Sequence, residues 1–175
     1  MNDTIKDMIQ RRSCRKFKPD MVPAEIIDQI IEAGLYAASG KNQQDAIIVA
    51  VTNKQVRDQL AAVNRQIGGF PEGMDPFYGA PVVLIVLADK NYFTHVYDGS
   101  LVMGNLMLAA HTLGIGSCWI HRAKEEFEMP QYQELLKSLG VEGLYEGIGH
   151  CILGYADTEP PAPPARKDKR VFYVK

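Results

Sequence analysis

The stretch YFTHVYDGSLVMGNLMLAAHTL, residues 92–113, reads as a long helix that is apolar on nearly every side. A helix without a polar face has to be covered on more than one flank, so it belongs in the middle of the fold. Gly99, Gly104, Ala109 and Ala110 would let a second helix approach it closely. Its longest apolar run, Leu101 to Leu113, is broken by Gly104, Asn105, His111 and Thr112. That run is far short of the ~20 residues a membrane span needs. The chain must therefore build layers around this helix.

Material for those layers lies on both sides of it. AIIVAVT (46–52) and VVLIVLA (82–88) are continuous β-branched, apolar runs and read as buried strands. A short strand over Ser117–Ile120 and a further one over 147–155, GIGHCILGY, complete the β content. Asn2 or Asp3 caps a first helix running to about Arg12. Pro23 opens a second helix, whose Ile26, Ile27, Ile30, Ile31, Leu35 and Ala38 recur at helical spacing until Gly40. Residues 54–68 are an amphipathic helix, a Gly/Pro-rich loop follows over 69–81, and another helix spans about 130–139. Strands and helices mix without strict alternation, which predicts an α+β fold with helices packed around a central mixed, mainly antiparallel sheet.

The chain has 175 residues, enough for one domain with a real core. Its net charge of −2 supplies no general field for nucleic acid or an acidic membrane. Cys14, Cys118 and Cys151 are odd in number and lack CxxC spacing, as expected of reduced thiols. The first residues, MNDTIKDMIQRRS, contain no apolar signal segment, so a soluble cytoplasmic protein is expected.

Near the C-terminus, Pro160, Pro161, Pro163 and Pro164 hold the chain extended. At ~3.1 Å per residue, 157–165 reaches roughly 25 Å before the sticky segment VFYV (171–174). An arm about 156–175 that crosses a partner subunit and adds a strand to its sheet fits this pattern. A terminal strand pairing with its own sheet is the other reading.

RRSCRKFK (11–18) crowds five cations into eight positions of a slightly acidic chain. Arg11 and Arg15 share a helical face if the first helix continues, and otherwise flank a turn around Ser13. In both cases two guanidiniums and a hydroxyl converge on a small oxyanion, and the planar donor fork of arginine suits phosphate. A solvated basic helix end is the plain alternative. Known phosphate loops are missing: there is no GxxxxGK[ST], and LGIGSCW (113–119) follows a helix, so Gly114 reads as a helix C-cap.

Five stretches in register resemble the flavin-dependent nitroreductase family: RRSCRKF (11–17), AASGKNQQ (37–44), DPFYGAPVVLIVLAD (75–89), NLMLAAHTLGIGSCWI (105–120) and ILGYADTEPPAPPARK (152–167). The resemblance implies a nitroreductase-like fold and a homodimer with FMN at the subunit interface. It implies that Arg11, Arg12, Ser13 and Arg15 hold the FMN phosphate and ribityl chain, with Arg166 and Lys167 closing on the phosphate. Ala38, Ser39, Gly40 and Asn42 would come from the other protomer and line the flavin ring. The turn at His121 and Arg122 would offer backbone N–H groups near N5 and O4. The activity implied is ping-pong reduction of nitroaromatics, quinones or similar small acceptors by NAD(P)H, with no catalytic side chain, because flavin carries the electrons. A dehalogenase or ene-type reductase of the same fold, and a flavin-holding protein without turnover, are the rival readings. The chain departs from the family in carrying Asp45-Ala46 where Pro-Trp is frequent, in Cys14, and in lacking long insertions that shape substrate pockets.

Other chemistry-bearing residues read plainly. Cys14 is expected to be an inert thiol and His111 a satisfied core histidine. Cys118 with His121, and His150 with Cys151, cannot easily chelate together from a strand, so no metal is expected. Trp119, Phe77 and Tyr78 read as packing, the loop 69–79 as a pocket lid, and Glu125, Glu126 and Glu128 as a solvated face.

Overall fold

A computed structural model describes residues 1–175. Four strands, β1 (Ala46–Val51), β2 (Val82–Asp89), β3 (Gly116–Ile120) and β4 (Tyr145–Gly154), form one sheet in the order β1-β2-β4-β3. Every pairing of these strands is antiparallel, with a bulge where Val86 and Leu87 meet β4. A mixed, mainly antiparallel sheet was expected, and within the chain a one-residue bridge between Ser13 and Ser117 is the parallel element.

Helices cover both faces. On one face α2 (Ala24–Leu35) and α4 (His95–Thr112) pack Ile27, Ile30, Val102, Met103, Leu106 and Ala110 against Leu84, Val86 and Leu153. On the other, α3 (Lys54–Ile67), α5 (Ala123–Phe127) and α6 (Pro130–Ser138) bring Leu60, Phe127 and Leu136 onto Ile85, Leu87 and Ile152. Residues 82–88 of β2 have no exposed surface, which is why that strand is apolar at every position and not at alternate ones. Each such Leu or Ile contributes about 1.5–3 kcal/mol of burial.

α1 (Asp3–Gln10) is capped by the Asn2 side chain and stops two residues before the expected end, because Arg11 turns into extended backbone. α2 likewise ends at Leu35, so Ala38 lies in the following loop and Gly40 opens a single 3-10 turn, Gly40–Asn42. α4 starts at His95, since an Asp89–Asn91 turn carries the chain out of β2 first. It ends as Gly114 predicted: at φ +73 its amide bonds the His111 carbonyl and the Ile115 amide that of Ala110. The five-residue α5 was not anticipated, being too short to show a period.

α4 meets its expectation of being covered on several sides only in part. Its sheet side is buried, but Tyr97 is 71% and Leu101 51% exposed, and Ile5, Met8 and Ile9 of α1 and Tyr36 after α2 are exposed too. No helix is long and apolar enough to cross a membrane. Residues 157–175 carry no regular element and are exposed throughout, so VFYV forms no strand with its own sheet.

Candidate functional site

The basic segment is held by the sheet. Ser13 pairs with Ser117 at the free edge of β3, and the Cys14 amide donates to the Ser117 carbonyl at 2.8 Å. Phe17 pairs antiparallel with Ala156, supported by Lys18 N–H to the Tyr155 carbonyl (2.9 Å) and Asp157 N–H to that of Lys16 (3.0 Å). The backbone here is extended, so Arg11 and Arg15 do not share a helical face. The stretch after α1 and the chain leaving β4 thus border a cleft of about 270 Å³, lined by Arg12, Ser13, Arg15, Gly114, Gly116 and Pro160 among others.

Its charges are incompletely answered. Arg12 reaches back to the Ile9 carbonyl (2.7 Å) and to that of Arg11, capping α1, yet its Nε is buried without a partner. Nη1 of half-buried Arg11 is also buried and unpaired. Arg15 is exposed and makes no ion pair, whereas Lys16 is paired with Asp157 at 3.0 Å. Buried donors without acceptors are rare because each costs about 1–3 kcal/mol. An anion would satisfy them. His111, half-buried on α4, lines the same cleft and faces Asp7 at 3.8 Å, so it is not the core histidine expected.

The loop from Ala38 to Gln44 lies elsewhere in the chain, around a pocket of about 140 Å³ between α2 and α4. Lys41, Asn42 and Gln44 all have positive φ, a conformation that surrounding bonds must impose. Those bonds start at buried Asp98, which accepts from Gly40 N–H (3.0 Å) and the Thr94 hydroxyl (2.6 Å). Gln44 N–H donates to Ser39 Oγ at 3.0 Å and its side-chain amide to Asn42 at 3.2 Å. Asp45 is buried with neither carboxyl oxygen hydrogen-bonded. Burial, and then the charge of Asp98, push its carboxyl above the usual range.

The turn after β3 is tied from behind. Its residues His121 and Arg122 lie between β3 and α5, with His121 exposed and Arg122 at φ +79. Asn64 of α3 donates to the His121 carbonyl (2.9 Å) and accepts from Arg122 Nε (3.0 Å), and the Arg122 guanidinium lies 4.9 Å over the Phe70 ring. Asn64 also donates to Glu126 (2.7 Å), whose other oxygen is 2.7 Å from His150 Nε2. Glu126 has no exposed surface, which corrects its reading as part of a solvated face; Glu125 and Glu128 are exposed as expected. Its spacing from Ala123 and Phe127, three before and one after, was the available signal.

The predicted residues therefore fall into four places. Arg12, Ser13 and Arg15 line the cleft, Arg11 adjoins them in sequence without lining it, and His121 with Arg122 form the turn. Ala38, Ser39, Gly40 and Asn42 form a separate loop that does not line the cleft. Arg166 and Lys167 stand on the exposed tail, with Arg166 bonded only to the Pro164 carbonyl.

A model of the nitroreductase family matches residues 8–68 and 72–155. The chain is 31% identical over 121 residues to a provisionally named NADH dehydrogenase/NAD(P)H nitroreductase of Methanothermobacter thermautotrophicus, covering 67% of this chain and 60% of that one. It is 31% identical over 181 residues to the NADPH-flavin oxidoreductase of Vibrio harveyi, covering 94% and 70% respectively. The chain thus spans less than two thirds of the first of these relatives. Among solved structures, a nitroreductase with bound FMN from Desulfitobacterium hafniense DCB-2 superposes with a TM-score of 0.88, 29% identity and full coverage of both chains.

Proposed function

The chain belongs to the nitroreductase family, and from that premise we propose that it is an FMN-dependent oxidoreductase that draws on NAD(P)H to reduce electron-poor acceptors such as nitroaromatics or quinones. The observation that carries this is the pair of buried, unpartnered guanidinium nitrogens, Arg11 Nη1 and Arg12 Nε, beside free Arg15 and Ser13 on a backbone pinned to the sheet. That donor set fits the phosphate and ribityl hydroxyls of FMN. FMN, when bound, supplies the hydride and electron chemistry. The protein binds, orients and shields it: Arg11, Arg12, Ser13 and Arg15 at the phosphate and ribityl end, and the amides of His121 and Arg122 at the ring.

A homodimer accounts for what one chain leaves open. The exposed apolar side chains of α1 and α4 lie on a face that a second copy would bury. The partner would bring Ala38, Ser39, Gly40 and Asn42 to the flavin. Its arm, about 156–175, would add VFYV to the unpaired edge of β1 and carry Arg166 and Lys167 to a phosphate. The free state of all three cysteines suits a reducing cytoplasm.

Colour tests the reading. The purified protein should be yellow or become so with added FMN, bleach with NAD(P)H under anaerobic conditions, and regain colour with a quinone. Colour that never bleaches would mean a flavin holder without turnover. Bleaching with no response to quinones or nitroaromatics would point to a dehalogenase or ene-type reductase. A protein that ignores FMN would sink the proposal.

A further inference from the structure

Three polar side chains without any exposed surface, Asn64, Glu126 and His150, form one hydrogen-bonded chain behind the β3–α5 turn. Each of its two ends touches the backbone of that turn. His150 Nδ1 lies 3.4 Å from the Ile120 carbonyl, and Asn64 donates to the His121 carbonyl at 2.9 Å. All peptide bonds are trans, and a trans peptide points its C=O and N–H in opposite directions. The N–H groups of His121 and Arg122 share those two peptide planes. With both carbonyls drawn inward, both amides face away from the interior, and neither donates to any group of the chain.

The chain of bonds has a polarity. The Asn64 NH₂ serves two acceptors, the His121 carbonyl and Glu126 Oε1, while its oxygen accepts from Arg122 Nε. An inverted Asn64 would set donor against donor at Arg122 and acceptor against acceptor at His121 and Glu126. Glu126, braced by His150, therefore decides which way the amide points. Arg122 needs this support, because a non-glycine residue holds φ +79 only where neighbours impose it.

We propose that Asn64, oriented by Glu126 and His150, is a positioning residue that aims the His121 and Arg122 amides at the flavin ring and so sets how far the site favours reduced over oxidised FMN. Donors fixed in advance act on charge that develops during reduction, without reorganising. The inference rests on the FMN reading above.

The test compares wild-type protein with Asn64→Leu and Glu126→Gln, measuring the dissociation constant of oxidised FMN and the midpoint potential of bound FMN. Asn64→Leu removes both ties to the turn and should lower the preference for reduced over oxidised FMN about tenfold, about 30 mV for a two-electron couple. Oxidised FMN should bind within about threefold of wild type, since the arginine cluster is untouched. Glu126→Gln can still accept from Asn64 and donate to His150 in its other tautomer, so its potential should stay near wild type. A folded Asn64→Leu protein with the wild-type potential overturns the inference. Hydrogen exchange on the wild type decides the matter if that variant does not fold. The Asn64 side-chain amide should be protected without FMN, and the His121 and Arg122 amides should become protected only when FMN is added. Bound FMN that leaves those two amides exchanging freely also overturns it, whereas failure of wild type to bind FMN refutes the proposed function instead.

Discussion

Ser13 lies beside Ser117 in a single parallel bridge, and this contact converts a run of cations into a placed set of donors. Without it, residues 11–15 would be a solvated extension of α1. With it, the hydroxyl and the flanking guanidiniums are held against the edge of β3, facing a cleft.

Gly116 guards that placement. A methyl group there would come within 3.0 Å of both Cβ and Sγ of Cys14 and 3.2 Å of the Gly154 carbonyl. Gly116→Ala should therefore push the basic segment off β3, weakening FMN binding about tenfold and stability by about 1–3 kcal/mol. FMN titration and urea unfolding check both numbers; unimpaired binding would show that the bridge does not place the arginines.

Arg15 has no partner in the chain, so Arg15→Ala removes nothing from the folded protein. Stability should stay within about 0.5 kcal/mol of wild type. FMN affinity should fall roughly ten- to hundredfold, the equivalent of one charge-assisted hydrogen bond of about 1.5–3 kcal/mol. Equal affinity in a fluorescence titration would remove Arg15 from the phosphate site.

Asp45 should make stability fall with rising pH. Its carboxyl is raised above the unfolded value by burial and by Asp98, so the folded state favours the protonated form. That contribution is complete below the ordinary aspartate range and is lost as pH climbs through the raised value. Asp45→Asn should match wild type in acid and exceed it at neutral pH by about 1–3 kcal/mol, the penalty of an unsatisfied buried group. Urea melts across that interval that run parallel for the two proteins would contradict this.

Cys14 should react slowly with thiol reagents at neutral pH. Burial raises its thiol, outweighing the lowering effect of the Lys16 backbone, and the neutral S–H donates to the Lys16 carbonyl at 3.2 Å. A labelling rate equal to that of a free cysteine peptide would show a reactive thiolate.

Much of the architecture was legible in the residues. β2 is buried on both sides and so had to be a continuous apolar run, whereas β1, equally apolar, is an edge strand that is only half-buried with Ala50 exposed; the glycine at 114 marks the end of α4 by its conformation. The donor types at 11–15 are likewise written in local composition. The arrangement of Asn64, Glu126 and His150 was not, because hydrogen-bonded residues 62 and 24 positions apart carry no shared period. Glu126 in particular resembles its exposed neighbours Glu125 and Glu128, and only the packing of α5 on β4 buries it.

By itself the sequence determined the strands and the longer helices and which cations could meet an anion, since periodicity and donor chemistry are properties of short stretches. Tertiary structure decided that the basic segment is extended, that it is stitched to β3, and which way the His121 and Arg122 amides point. Those outcomes depend on hydrogen bonds between distant parts of the chain, whose geometry exists only once the sheet and its helices have closed around one another.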